Sequence, residues 1–255
     1  MPKEPRVVVW FSCGASSAVA AKLAIQEYGD RCVVAYCDPG GEHPSNKKFL
    51  KDVEEWIGQE IIVLRNTKGY KDHFDVFRKT KYINGIQGAR CTIELKKKCR
   101  FEFQLADDIH IFGYTAEEKK RAKKFNHHNH ELTTDWILIR KEVSKGDCLG
   151  VLWKARIDIP ILYDLGYNHN NCIMCPKGGK GYANKIRVDF PEHFQEMALI
   201  EREIGHSIFR NEEDGSRIYL DELDPKAGNF ATEPPISCGI GCGIISQELG
   251  NEEKA

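Results

Sequence analysis

No stretch of this chain approaches the roughly 18 consecutive apolar residues of a membrane-crossing helix, so a helical membrane span is excluded. An excess of charge is missing too. Lys plus Arg number 37 against 38 Asp plus Glu, a net charge of -1, so no global field draws the protein onto nucleic acid and any such contact would be local. The opening residues MPKEPRVVVWFS carry no signal-peptide apolar region or cleavage site, and the expected location is cytoplasmic. There is no internal repeat and no low-complexity tract, which sets aside solenoids and disordered arrays. Ten cysteines in 255 residues are too sparse for a disulfide scaffold; thiols at this density serve metals, redox work or the core.

What is present is an alternation of short Val/Ile-rich runs with amphipathic stretches. Residues 7–11 precede a helical stretch at 18–28, 32–36 precede 45–57, and 61–64 precede 71–80. Two further strands are expected at 109–112 and 136–139, with a helix over 117–124 between them. Repeated strand–helix units predict an α/β fold, a mostly parallel twisted sheet with helices on both faces. After about residue 158 the chain turns rich in Gly, Asn and Cys. That shift of composition predicts an α/β domain over 1–157 and a small Cys-containing C-terminal annex over 158–255. The annex shows one clear helix, Pro191–Ile204, with Pro in its first turn and Gly205 at its end. The tail 247–255 is polar and expected to fray.

In parallel sheets ligands bind beyond the carboxyl ends of the strands, which directs attention to residues 12–17, 38–44, 66–69 and 113–118. The first of these, Ser12-Cys-Gly-Ala-Ser-Ser17, brings backbone N–H groups and hydroxyls to a helix N-terminus, a place that receives phosphate or sulfate. An ordinary capped turn reads the same way. The turn lacks the lysine of a Walker A loop and the spacing of a dinucleotide fingerprint. The second loop puts Asp38 at a strand tip, followed by Gly40 and Gly41 and a Pro-led helix entry.

Together the two loops resemble the phosphoadenylyl sulfate (PAPS) reductase family, within the adenine nucleotide alpha-hydrolase-like (PP-loop) group. Further segments in the same order are similar to its bacteriophage-borne versions and to the related DNA phosphorothioation enzymes. They are Ala89-Arg-Cys-Thr92, Gly113-Tyr-Thr-Ala-Glu-Glu118 with Arg121, and Leu162-Tyr-Asp-Leu-Gly-Tyr167 leading into Asn171-Cys-Ile-Met-Cys175, so the likeness runs over about residues 6–205. The resemblance implies an adenine nucleotide, PAPS, adenylyl sulfate (APS) or ATP, held by Ser12, Cys13, Gly14, Ser16, Ser17, Asp38, Gly40, Arg90, Gly113, Glu117 and Arg121. Glu117 is expected to orient Arg121 or a ribose. Relatives that split ATP carry an aspartate where this chain has Ser16, and a neutral hydroxyl is a poor magnesium ligand, which favours the reductase-like branch.

Basic residues gather at 90–100 and 119–124. Beyond Arg90 and Arg121, which suit bidentate grip on phosphate or sulfate, the lysines are expected at the surface, with a nucleic-acid backbone as the less favoured partner. His127, His128 and His130 suit either an exposed loop or a metal tract. Cys172-x-x-Cys175 and Cys238-x-x-x-Cys242 offer four thiolates for zinc or a 4Fe-4S cluster, against the alternative of two pairs of buried thiols. By resemblance, Cys91 could join Cys172 and Cys175 around a cluster. Cys238, in Ser237-Cys-Gly-Ile-Gly241, then stands for the family's C-terminal nucleophile, resolved by a thioredoxin-like reductant. The expected activity is thiol-dependent reduction of adenylyl or phosphoadenylyl sulfate to sulfite. The alternatives are an ATP-splitting sulfurtransferase or adenylating enzyme acting on nucleic acid, and a catalytically silent nucleotide-binding protein with structural zinc.

Overall fold

The computed structural model describes residues 4–85, 88–234 and 236. Its centre is β1 (Val7–Phe11), whose VVVWF run is buried along its whole length. Such a continuous apolar run belongs to a parallel strand covered on both faces. Around it the chain builds α1 (Ala15–Tyr28), β2 (Cys32–Cys37), α2 (Asn46–Ile57), β3 (Ile61–Leu64) and α3 (His73–Thr80). A nearly continuous helical stretch comes next. It comprises α4 (Arg90–Thr92), a π-helical turn (Ile93–Lys97) and α5 (Lys98–Phe103). Then come β4 (Ile109–Phe112), α6 (Lys119–His128), β5 (Thr133–Asp135), α7 (Ile137–Arg140), α8 (Lys145–Lys154) and α9 (Ile161–Asp164). The last part contains α10 (Lys180–Asp189), α11 (Pro191–Ile204) and a hairpin of two-residue strands, β6 (Phe209–Arg210) with β7 (Arg217–Ile218).

The five-stranded sheet has the order β3-β2-β1-β4-β5, every neighbour parallel. Side chains alternate across a strand. Val7, Val9 and Phe11 accordingly join α1 and α2 in one core, while Val8 and Trp10 join Cys99 of α5 and Ala122 and Phe125 of α6 in another. Helices therefore cover both faces, as the strand–helix alternation predicts. A third core gathers Phe74, Val76 and Phe77 of α3, Leu95, the Ile173–Met174 turn and the buried faces of α10 and α11. Side chains from residues 70–95, ahead of the compositional change at 158, thus pack with the segment beyond it.

Three expectations are corrected. The last strand is Thr133–Asp135, and the apolar run expected as a strand at 136–139 closes into α7. A short apolar run reads equally as strand or helix. Here Ile137 and Leu138 enter the first core while Trp136 packs against the other face, which one helical turn allows. The C-terminal part holds a second substantial helix, α10, whose Tyr182, Ala183 and Ile186 supply the buried stripe. Finally, Lys96 and Lys97 are buried rather than at the surface, both within the π-turn.

Gly113 fixes how β4 meets α1. A Cβ there would stand 2.7 Å from Ser17 N and 2.8 Å from Ser17 Cα, backbone atoms that cannot turn aside. Gly113→Ala is expected to destabilise the fold by about 1–3 kcal/mol through overpacking, read as a lowered denaturant midpoint with unchanged slope.

Candidate functional site

A cleft of about 540 Å³ opens at the carboxyl edge of the sheet, where the loops after β1 and β4 meet α8 and the segment 163–171. Ser12, Gly14, Ser16, Ser17, Gly113, Glu117 and Arg121 all line it, seven residues that the sequence singles out from two separate loops. Four others expected with them do not. Cys13 is turned into the core at φ +51°, and burial pushes its thiol pKa up, so it packs rather than reacts. Asp38 caps the Gly40 N–H at 2.9 Å and pairs with Arg65 at 2.9 Å. Gly40, at φ +69°, lies against the Lys71 carbonyl, where no side chain fits. Arg90 reaches Glu94 at 2.8 Å. The loop at 66–69 also turns away: Asn66 closes on Tyr70 through two 2.8 Å bonds.

The first turn is less bare than its sequence predicts. Ser17 Oγ accepts from the N–H groups of Ser12 (3.1 Å) and Gly14 (3.4 Å) and donates to the Gly14 carbonyl at 2.9 Å. The Tyr163 hydroxyl lies against the turn, 3.2 Å from where a Cβ on Gly14 would stand, and burial raises its pKa to about 12. Tyr163 lines the cleft, where its phenol offers an O–H donor.

Opposite this turn Trp10, Phe112 and Tyr114 form an aromatic wall, and the Arg121 guanidinium lies 4.1 Å above the Tyr114 ring. Glu118 holds Arg121 at 2.5 Å. Glu117, expected to orient Arg121, instead accepts the Lys145 backbone N–H at 3.2 Å. Lys145 lines the cleft and bonds the Asn168 carbonyl; burial lowers its pKa, against the opposing pull of Glu118 and Glu117. Beneath the turn, Glu42 is buried, with Tyr36 and Asn46 donating to one carboxylate oxygen at 2.8 Å each and Lys96 reaching the other at 3.4 Å. Burial raises the Glu42 pKa while Lys96 opposes the rise.

The thiols of Cys172 and Cys175 sit in a tight turn held by one residue. Tyr182 donates its hydroxyl proton to the Cys172 carbonyl (3.2 Å) and accepts from the Cys175 N–H (3.1 Å). Ile173 N–H bonds the Gly41 carbonyl at 3.0 Å, and Met174 takes a left-handed φ of +58°. Among the described residues no three of His, Cys, Asp and Glu are gathered to hold a metal ion, so Cys91, Cys172 and Cys175 do not form a three-thiol site as they stand. Cys91 and Cys175 are buried in the same core beside α3. Cys238 and Cys242 lie outside the described residues. His127, His128 and His130 are exposed at the end of α6, as are Lys119, Lys120, Lys123 and Lys124 along it. No described helix is long and apolar enough to cross a membrane.

No family model matches this sequence. An uncharacterised protein of Methanocaldococcus jannaschii is 28% identical over 214 residues, which is 79% of this chain and 42% of that protein. The chain thus spans less than half the length of the curated relative it matches. Among solved structures it is similar to a PAPS reductase from Candida auris in a phosphate complex, with TM-score 0.49, 10% identity, 66% of this chain and 81% of that one. It is similar also to the U34-tRNA thiolase NcsA of Methanococcus maripaludis with its 4Fe-4S cluster, with TM-score 0.45, 12% identity, 94% of this chain and 81% of that one.

Sequence reasoning misses Tyr163, Lys96, Lys145 and the loop 168–171, all of which line the cleft. The run Asn168-His-Asn-Asn171 was the available signal: three amides and an imidazole in a row are unusual in a mere connection. His169 lines the cleft, and burial, with Lys145 adding to it, lowers its pKa to about 4. The folded protein then binds fewer protons than the unfolded chain between the ordinary value near 6.5 and about 4. Stability from this group is full above that window and falls as the pH drops through it. His169→Gln should flatten the acid side of the stability curve over that window, measured by urea melts at stepped pH. An unchanged curve would show that His169 is not held neutral.

Proposed function

We propose that the protein is an adenylyl-nucleotide enzyme of the PAPS-reductase type, which reduces adenylyl or phosphoadenylyl sulfate with a C-terminal thiol. The observation that carries this reading is the convergence of seven expected binding residues from the loops after β1 and β4 on one cleft. Ile236 lines the same cleft, and the two residues from there to Cys238 span at most about 7 Å of chain.

In this reading the aromatic wall takes the adenine and the turn at 12–17 takes the anion, with donors from Ser12, Ser16 and the Tyr163 hydroxyl. Arg121 grips a phosphate or sulfate oxygen. The Cys238 thiolate attacks the sulfate sulfur, and the bond from that sulfur to the bridging oxygen breaks. The electron pair leaves with the nucleotide as AMP, or as its 3′-phosphate when the substrate is PAPS. The enzyme then carries a thiosulfonate. A dithiol reductant of the thioredoxin kind attacks the Cys238 sulfur, sulfite departs, and a second attack within the reductant returns Cys238 to the thiol. Cys172 and Cys175, with Cys91 when Cys238 serves as nucleophile, are the candidates for a zinc or iron–sulfur site. The donor set suits either, and such a group would brace the turn beside the cleft.

The test is sulfite release from APS and PAPS with a dithiol reductant. Cys238→Ser should abolish sulfite while nucleotide still binds, and absence of sulfite from the intact protein with nucleotide bound would sink the reading. Pyrophosphate release from ATP in its place would install the ATP-splitting alternative. Separately, Arg121→Ala should weaken nucleotide binding by about 1.5–3 kcal/mol, the worth of a hydrogen bond to a charged group, measured by calorimetric titration.

A further inference from the structure

Asn170 is 7% exposed and lines the cleft, yet its Oδ1 is buried with no hydrogen-bond partner among the described residues. Buried acceptors are satisfied in nearly all folded proteins, and one that is not asks for a donor. The orientation of this amide is fixed by its neighbours. Asn46 Nδ2 donates to Glu42 Oε2 at 2.8 Å, so Asn46 turns its Oδ1 outward. Asn170 Nδ2 donates to that oxygen at 2.8 Å and to the Cys13 carbonyl at 2.7 Å. Turning the amide over would press its oxygen against two other acceptors, so Oδ1 stays where it is.

We propose that Asn170 Oδ1 accepts a hydrogen bond from a ribose hydroxyl of the nucleotide, and that Asn46 and Glu42 are positioning residues that aim it. The proposal rests on the nucleotide reading of the cleft given above. The phosphate and sulfate oxygens of an adenylyl nucleotide are all acceptors at neutral pH, so a carbonyl-type oxygen cannot face them. The donors such a ligand owns are its free ribose hydroxyls, two in APS and one in PAPS, and the adenine amino group. The sugar is bonded directly to the 5′-phosphate, whereas the amino group lies on the far edge of the base. Asn170 touches the backbone of the anion-receiving turn itself, at Cys13, so the sugar is the part within its reach. A phosphate on that hydroxyl would replace the donor with acceptors, and the same atom therefore discriminates against a nucleotide phosphorylated there.

The experiment is a double-mutant cycle by calorimetric titration with AMP, 2′-deoxy-AMP, 3′-deoxy-AMP and N6,N6-dimethyl-AMP as probes, on the full chain. The intact protein should bind one deoxy analogue roughly 3- to 10-fold more weakly than AMP. Asn170→Ala should bind AMP and that analogue equally, with its unliganded melting transition recorded to show that it folds. Asn46→Ala, which keeps Asn170 but removes the group that aims it, should lose most of the discrimination. Equal binding of all four probes by the intact protein, or coupling of Asn170 to the dimethylamino probe alone, overturns the proposal and leaves the nucleotide reading standing. Failure of the intact protein to bind AMP at all would instead strike the nucleotide reading itself.

Discussion

When one strand is buried on both faces and paired in parallel on both sides, as β1 is with β2 and β4, every loop that leaves a strand's carboxyl end must emerge at the same edge of the sheet. That constraint makes neighbours of residues about a hundred positions apart. The turn after Phe11 and the turn after Phe112 face each other because Trp10 pairs with Phe112 across the sheet. The close approach of Gly113 to the first turn of α1 then sets the depth of the cleft. Nothing else in the chain has to be adjusted to bring the two loops together.

Under that edge lies an inward-facing polar layer, which is costly to build unless each member is satisfied. Glu42 satisfies it by acting as a sink for donors: Tyr36, Asn46 and Lys96 all point at its carboxylate. Because Tyr36 and Asn46 both donate to the same carboxylate oxygen, the direction of each bond outward is set, through Asn46 to Asn170. A buried ion pair such as Lys96 with Glu42 is weak support for stability. Its value here is that it fixes orientation at the floor of a cleft.

Much of the fold was legible because the strand runs are short, apolar and separated by helices of opposite pattern. The four strands β1 to β4 fall where Val, Ile and Cys concentrate, and the strand-end turns that shape the cleft are marked by Gly or Ser. Residues 136–139 misled because an apolar run of four carries no period, and the contacts of Ile137 and Leu138 chose a helix. Lys96 and Lys97 misled because charge reads as exposure, and no local pattern announces a π-turn. Within the site, small residues at strand ends were visible. Tyr163 and Asn170 were not, since their roles come from a segment that approaches only in three dimensions. Cys13 is turned into the core and Gly40 lies against the Lys71 carbonyl, so neither lines the cleft.

The Asn170 side-chain amide joins two distant parts of the chain, the Cys13 carbonyl ahead of α1 and Asn46 at the head of α2. Asn170 stands two positions before Cys172, whose carbonyl is clasped by Tyr182. A single amide thus ties the floor of the cleft to the segment that enters the Cys172–Cys175 loop. A shift of that amide is carried along two residues of backbone to the turn that holds both sulfurs.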